Sequence, residues 1–282
     1  MQIWIYYNGK RYNSTKYEEI PMKDKKINIR QWTCIAAGLV IVLIILFVVI
    51  RQMSLGQTDQ NVGAGVAHLK ELEARDVTAI EQTIKQQKKA AMAANLEQEL
   101  QEGTVSVWSL FNDSVIFGDS RSVGFYSYGL LDESRVYAAS GLTIANMKDY
   151  EAKIKTLNPS YLFLCTGIND VSIGFWPTPE DYVTAYEEMM QRLMELLPDT
   201  EIFVNSIFPA QDPAFNKSEK WRQIPDYNEA VKAWCAEKGY HYIDNTAVFE
   251  AHKDLYQADG IHFQKELYEY WATNMIIEAI RQ

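Results

Sequence analysis

Apolar and polar positions fall into three patterns along the chain. The first is an unbroken run, "QWTCIAAGLVIVLIILFVVI", between Arg30 and Arg51, without a charged side chain. A helix that crosses a hydrocarbon core needs about 20 such residues, so a transmembrane helix is predicted over 31–51. A cleaved signal peptide would be shorter and end in small residues, whereas this run ends "VVIRQMSLGQ". A signal anchor is therefore expected.

The second pattern is a narrow stripe. "SLGQTDQNVGAG" has the composition of a flexible linker. From Val66 to Glu102 the chain is rich in Ala, Glu, Gln, Lys and Leu and contains no Pro or Gly, which predicts one long helix. Its apolar positions, among them Leu69, Leu72, Ile80, Ile84, Leu96 and Leu100, form a stripe too thin for a core helix. A stalk is expected over 52–103, reaching about 55 Å where fully helical. Its heptads are imperfect, which leaves open whether two chains pair along it as a homodimer.

The third pattern alternates. Strand-like runs "SVIFG", "RVYAAS", "SYLFLCTG", "EIFVNSIF" and "YHYIDN" are separated by helical stretches such as "TPEDYVTAYEEMMQRLMELLP" and "DYNEAVKAWCAEKG", and "QKELYEYWATNMIIEAIRQ" follows the last strand. Strands alternating with helices predict an α/β domain over 104–282, a parallel sheet covered on both faces. Ligands of such sheets bind beyond the carboxyl ends of the strands, so the loops there are where chemistry is expected.

Charge adds topology. "MKDKKINIR" precedes the apolar run, while only Arg51 follows it before Lys70, which predicts a cytoplasmic N-terminal segment, residues 1–30, and everything after about residue 51 outside the cell membrane. The opening "MQIWIYYNGKRYNSTKYEEIP" matches nothing downstream, and Met22 is a candidate for the true start. With 27 basic and 37 acidic residues the chain carries a net charge of −10, which argues against nucleic acid as a partner. Three scattered cysteines, Cys34, Cys165 and Cys235, suit neither a disulfide framework nor a zinc site and read as small buried hydrophobes. No metal or cofactor is expected.

Within the strand-end loops stand "GDS" at 118–120, Ser140-Gly141, "GIND" at 167–170 and "QADGIHF" with Asp259 and His262. Ser120 is either a nucleophile or a polar turn residue. Asp259 lies three residues before His262, a spacing that lets its carboxylate reach Nδ1 while Nε2 faces a serine; helix capping is the other reading. Asn169 offers a side-chain N–H and Gly141 an unobstructed backbone N–H, which with Ser120 makes three donors for an oxyanion. His68, His241 and His252 read as solvated or packed.

Taken in order, Gly-Asp-Ser, a lone glycine, Gly-x-Asn-Asp and Asp-x-x-His resemble the SGNH hydrolase (GDSL-type esterase) family over residues 113 to 282. The resemblance implies a three-layer α/β/α, flavodoxin-like fold with a five-stranded parallel sheet and a metal-independent serine mechanism. It implies Ser120 as nucleophile, His262 as base, Asp259 as its orienter, Ser120, Gly141 and Asn169 as the oxyanion hole, and Asp119 as support for the turn. The first block reads "GDSRSVG", without the leucine of the family's older name, and Ser122 is a second serine nearby.

The activity implied is release of a small acyl group, acetyl in many members, from an ester. A site tethered outside the membrane points to an O-acylated cell-envelope glycan as substrate. Phe175, Trp176 and Trp221, in long loops, are candidates for stacking on sugar rings or for packing those loops. Alternatives are an O-acyltransferase with the same triad, a lipid esterase, and a non-catalytic anchored scaffold.

Overall fold

The computed structural model describes residues 4–7, 10–13, 29–73 and 77–282, with 4–7, 10–13, 29–37, 54–61 and 73 given by backbone alone. The candidate start Met22 and the side chain of Cys34 lie outside the described residues. Two compact units emerge, Met1–Asp76 and Val77–Gln282.

In the first unit, β1 (Trp4–Tyr7) pairs antiparallel with β2 (Lys10–Asn13). Helix α1 (Ile29–Glu73) then runs without interruption through the segment expected to be a flexible linker. That segment contains no proline, and its glycines cost only about 1 kcal/mol each in a helix. The twelve apolar side chains from Leu39 to Ile50 are all exposed. The first seven side chains of the expected span lie outside the described set; among the described residues, no helix is long and apolar enough to cross a membrane.

The second unit is built on β3 (Ser114–Gly118), β4 (Val136–Ala138), β5 (Tyr161–Cys165), β6 (Glu201–Asn205) and β7 (His241–Ile243), all parallel and ordered β4-β3-β5-β6-β7. The strands alternate but are apolar on both sides. Val115, Phe117, Leu162 and Leu164 point into one core, and Ile116, Phe163 and Phe203 into the other. A side-chain period of two with both phases apolar requires helices on both faces. α4 (Glu151–Leu157), α6 (Pro179–Leu196) and α8 (Ile224–Lys238) supply the connections, and α10 (Leu267–Arg281) closes the second face with Trp271 and Met275. The start of α6 is written in its sequence: Thr178 Oγ1 accepts from the Asp181 N–H and Pro179 follows directly. Short helices α3 (Gly124–Ser127), α5 (Ile168–Ile173), α7 (Asp212–Phe215) and α9 (Thr246–Ala251) lie in the loops.

One element differs from the stalk expectation. Helix α2 (Val77–Gln101) belongs to this unit. Ala93 is fully buried, Leu96 and Leu100 pack on the second core, and Glu97 lies 3.5 Å from Arg281 of α10. Ala93 presents only a methyl, so the helices approach closely, and the thin stripe suffices for a one-sided dock. Toward its start, Val77, Ile80 and Ile84 stay exposed.

Candidate active site

The chain leaves β3, forms β4 on one side and returns to form β5 on the other, so the strand order reverses at β3. Gly118 is paired with Ala138 and with Cys165. Three carboxyl ends therefore meet at one level, where open α/β sheets bind ligands. Ser120 occupies the turn between β3 and α3, and its half-buried position leaves the hydroxyl facing the cleft.

His262 reaches that hydroxyl from the loop before α10: Nε2 lies 2.9 Å from Ser120 Oγ, and Nδ1 lies 2.6 Å from Asp259 Oδ2. The other carboxylate oxygen, Oδ1, accepts from the N–H groups of Ile261 at 2.9 Å and His262 at 3.0 Å. Partial burial alone would raise the Asp259 carboxyl, but the backbone and ring of His262 and the Ile261 N–H outweigh it and hold it down at about 2. An ionised carboxylate only accepts, so Nδ1 donates to it and the Nε2 lone pair is left to take the Ser120 proton. These three residues, apart in sequence by up to 142 positions, form one continuous relay.

Behind the serine lies a buried ion pair that sequence reading did not assign. Asp119 is fully buried and Arg121 is 3% exposed. Asp119 Oδ1 accepts from the Arg121 N–H at 3.0 Å and from Nε at 3.3 Å; Oδ2 accepts from Nη2 and from the Ile168 N–H, each at 3.3 Å. Arg121 Nη1 donates to the Phe208 carbonyl at 2.8 Å, and the Tyr268 hydroxyl donates to the Arg121 carbonyl at 2.6 Å. One pair thus ties the serine turn to the β5–α5 loop, the β6–α7 loop and α10. An arginine between a buried strand and a helix start, two residues from an aspartate, was the available signal. Ser122 points the other way: it is fully buried, 3.5 Å from the Cys165 carbonyl.

Two of the three oxyanion candidates, Gly141 and Asn169, stand on loops that are fastened together. Asn169 Nδ2 donates to the Leu142 carbonyl at 3.0 Å, and Asp170 Oδ1 accepts from the Ile144 N–H at 3.0 Å. The first bond uses one amide hydrogen of Asn169 and orients the second. Gly141 is exposed with φ +79°, a left-handed backbone that favours glycine. Gly167, at φ +140°, has no room for a side chain, since a Cβ would fall 2.3 Å from Ile207. Asp170 is fully buried and its Oδ2 has no hydrogen-bond partner. Burial pushes its carboxyl up to about 7, against the pull of the Ile144 N–H.

The aromatic candidates require correction. Trp221 is only 8% exposed, and its indole N–H donates to the Ile168 carbonyl at 2.7 Å. Its ring is spent on packing beneath α5 and is closed to a sugar. Trp176 is half-buried, with its ring centroid 5.8 Å from those of Tyr182 and Phe175. Phe175 is 63% exposed. None of the three lines the pocket of about 530 Å³ that holds Ser120 and His262; Tyr126, Tyr128, Tyr268 and Gln257 do. Loop length and composition carried no information on which way these rings turn.

The remaining candidates stay apart from this chemistry. His241 stacks on Phe203 at 5.0 Å and His252 on Tyr270 at 3.7 Å. Cys165 and Cys235 are buried thiols, and burial raises both, Cys235 to about 12. Among the described residues no group of acidic, histidine and cysteine side chains is arranged to hold a metal ion.

Comparison with known proteins follows the same outline. Solved structures similar to this chain include a GDSL-like lipase from Parabacteroides merdae (20% identity, 60% of this chain and 96% of that chain covered, TM-score 0.48). A carbohydrate esterase family 3 protein from Talaromyces cellulolyticus is also similar (18%, 59% and 97%, TM-score 0.46). So is an acetylxylan esterase from Geobacillus stearothermophilus, solved as a catalytic mutant (20%, 59% and 94%, TM-score 0.46). No curated protein matches the chain. The model of the GDSL-like Lipase/Acylhydrolase family matches residues 113–270, a span that contains Ser120, Gly141, Asn169, Asp259 and His262. With the sheet, the strand-end loops and more than half of the chain matched, this protein belongs to the GDSL-like lipase/acylhydrolase family and is a carboxylic ester hydrolase.

Proposed function

We propose that this protein is a membrane-anchored esterase that removes a small acyl group, acetyl above all, from a glycan of the cell envelope through an acyl-serine intermediate. The observation that carries the reaction is the relay of 2.9 Å and 2.6 Å joining Ser120, His262 and Asp259. In this reading the Ser120 oxygen attacks the ester carbonyl while His262 Nε2 takes its proton. The tetrahedral oxyanion is held by the N–H groups of Ser120 and Gly141 and by the Asn169 amide. Collapse expels the alcohol, which receives the proton from His262; water then repeats the sequence and frees the acid.

Three features support the substrate and location. The wall around Ser120 carries Tyr126, Tyr128, Ser127, Ser140 and Gln257, polar groups that suit sugar hydroxyls and would be stripped of water without compensation by a fatty chain. The twelve exposed apolar side chains from Leu39 to Ile50 favour an apolar surrounding, such as a bilayer supplies. The lysines and arginine of "MKDKKINIR" favour a cytoplasmic N-terminus and an outward-facing esterase unit.

The test is turnover of p-nitrophenyl acetate and covalent labelling by a fluorophosphonate, using the full chain in detergent micelles beside Ser120→Ala. Turnover and labelling that vanish in the variant are expected. A folded wild type that neither turns over nor labels would refute the serine mechanism.

A further inference from the structure

The pocket at Ser120 does not end at the sheet edge. A second pocket of about 640 Å³ adjoins it, and Tyr126 and Ala138 line both. It runs along β4, the edge strand, away from the relay. Either volume alone is in the range that accommodates a small organic ligand, far more than an acetyl group needs.

Its lining has a specific chemistry. Tyr137 and Tyr150, both half-buried, form an aromatic wall with ring centroids 5.4 Å apart. Tyr150 is buttressed from behind by Phe117 at 5.6 Å, and the Lys153 ammonium lies 5.8 Å from its ring. The exposed residues Asp132 and Glu133 add two carboxylates to the lining. Asp132 is held by the Ser134 N–H at 2.8 Å and by the Ser134 hydroxyl at 2.6 Å.

We propose that this second pocket is a run of subsites for the neighbouring sugars of a polymeric substrate, with Tyr137 and Tyr150 as stacking platforms and Asp132 and Glu133 as acceptors for sugar hydroxyls. Sugar rings present C–H faces to aromatic rings and a rim of hydroxyls to carboxylates, and the cleft offers both. An acyl chain would desolvate two carboxylates and an ammonium without return. Two carboxylates line the cleft beside the one ammonium of Lys153, with Arg135 close to Asp132, so a polyanion would meet no surplus of positive charge. The enzyme therefore acts on an acylated chain seated along the β4 edge, with the acylated sugar at Ser120 and at least one further sugar beside Tyr137.

This inference rests on the esterase reading of Ser120, and its test separates the two. The full chain in detergent micelles is assayed with O-acetylated oligosaccharides of one, two, four and six residues on β-1,4-linked glucose, N-acetylglucosamine and xylose backbones, beside p-nitrophenyl acetate. The expected result is a kcat/KM at least tenfold higher for four residues than for one on one or more backbones. Tyr137→Ala and Tyr150→Ala should abolish that gain and leave p-nitrophenyl acetate turnover within twofold of wild type. Tyr137→Phe should keep the gain, because the ring remains, and the exposed Glu133→Gln should lower it without affecting the fold. A flat response to length on all three backbones overturns the subsites, as does a gain that survives both alanine variants. O-acetylserine peptides of matching lengths are assayed beside them, and a length gain confined to these peptides would overturn the sugar subsites and assign the cleft to a peptide instead. Loss of p-nitrophenyl acetate turnover in the wild type would fail the esterase reading itself, a different outcome.

Discussion

Asp259 and Asp170 stand in loops at the same end of the sheet, yet their surroundings drive them in opposite directions. Asp259 is held down at about 2 because two backbone N–H groups and an imidazole face its two oxygens. Asp170 is pushed up to about 7 because it is buried with one N–H partner and an unpartnered oxygen. One loop therefore keeps a charge ready to orient a base. The other holds a carboxyl whose charge burial disfavours, as a strut between the two loops that carry Gly141 and Asn169. Asp119, between them, is a third solution: fully buried and ion-paired. The lesson is that a carboxylate at a strand end takes its role from the number of donors around it, not from residue type.

The largest expected effect comes from removing the charge in the first loop. Asp259→Asn would present an amide N–H to Nδ1 and fix the tautomer in which Nε2 carries the proton, so p-nitrophenyl acetate kcat should fall by about 10³- to 10⁴-fold. A fall below tenfold would show that Asp259 does not orient the imidazole. The stability share of this group has the opposite pH sense from that of Asp170. Its folded carboxyl lies below the ordinary 3.8, so the contribution is complete at neutral pH and is lost only as pH falls from about 4 through about 2.

Next in size is the buried pair. Arg121→Met leaves Asp119 buried without its counter-charge, for which the cost is roughly 3–5 kcal/mol. Urea unfolding followed by circular dichroism should register it as a lower midpoint with an unchanged slope. A midpoint equal to wild type would mean that the backbone N–H groups of residue 121 and Ile168 compensate Asp119 by themselves.

The smallest effect sharpens the contrast most. Between pH 4 and pH 7 an unfolded Asp170 is ionised while the folded one still holds its proton, so the folded state binds more protons and stability falls as pH rises through that window. Asp170→Asn keeps an acceptor for the Ile144 N–H and does not titrate. Its melting temperature relative to wild type should therefore rise by a few degrees from pH 4.5 to pH 8. A difference independent of pH would place the Asp170 carboxyl near its ordinary value in the folded protein.

The five strands were legible because both phases of each run are apolar, and α6 because Thr178 and Pro179 mark its start. The relay residues stood out for a chemical reason: few side chains accept a proton at neutral pH, and His262 has an aspartate three residues before it. Arg121 showed only its place two residues after an aspartate at a strand end, which did not reveal its burial, since a buried arginine and a solvated one look identical until the carbonyl of Phe208 comes round to meet it. Trp221 misled for the same reason, its indole being claimed by Ile168, 53 residues earlier.

Local pattern thus determined the sheet, the order of its loops, the apolar run near the N-terminus and the chemical class of Ser120, Asp259 and His262, because these depend on periodicity and on intrinsic proton affinity. Tertiary structure alone decided that α2 docks on α10, that Asp119 and Arg121 bind four segments together, and that Asp170 is lifted while Asp259 is lowered. It also turned the tyrosines of the β4 edge, rather than the tryptophans of the long loops, toward the cleft. Burial and hydrogen-bond geometry depend on which distant segments are brought into contact, and that information is present only once the chain has folded.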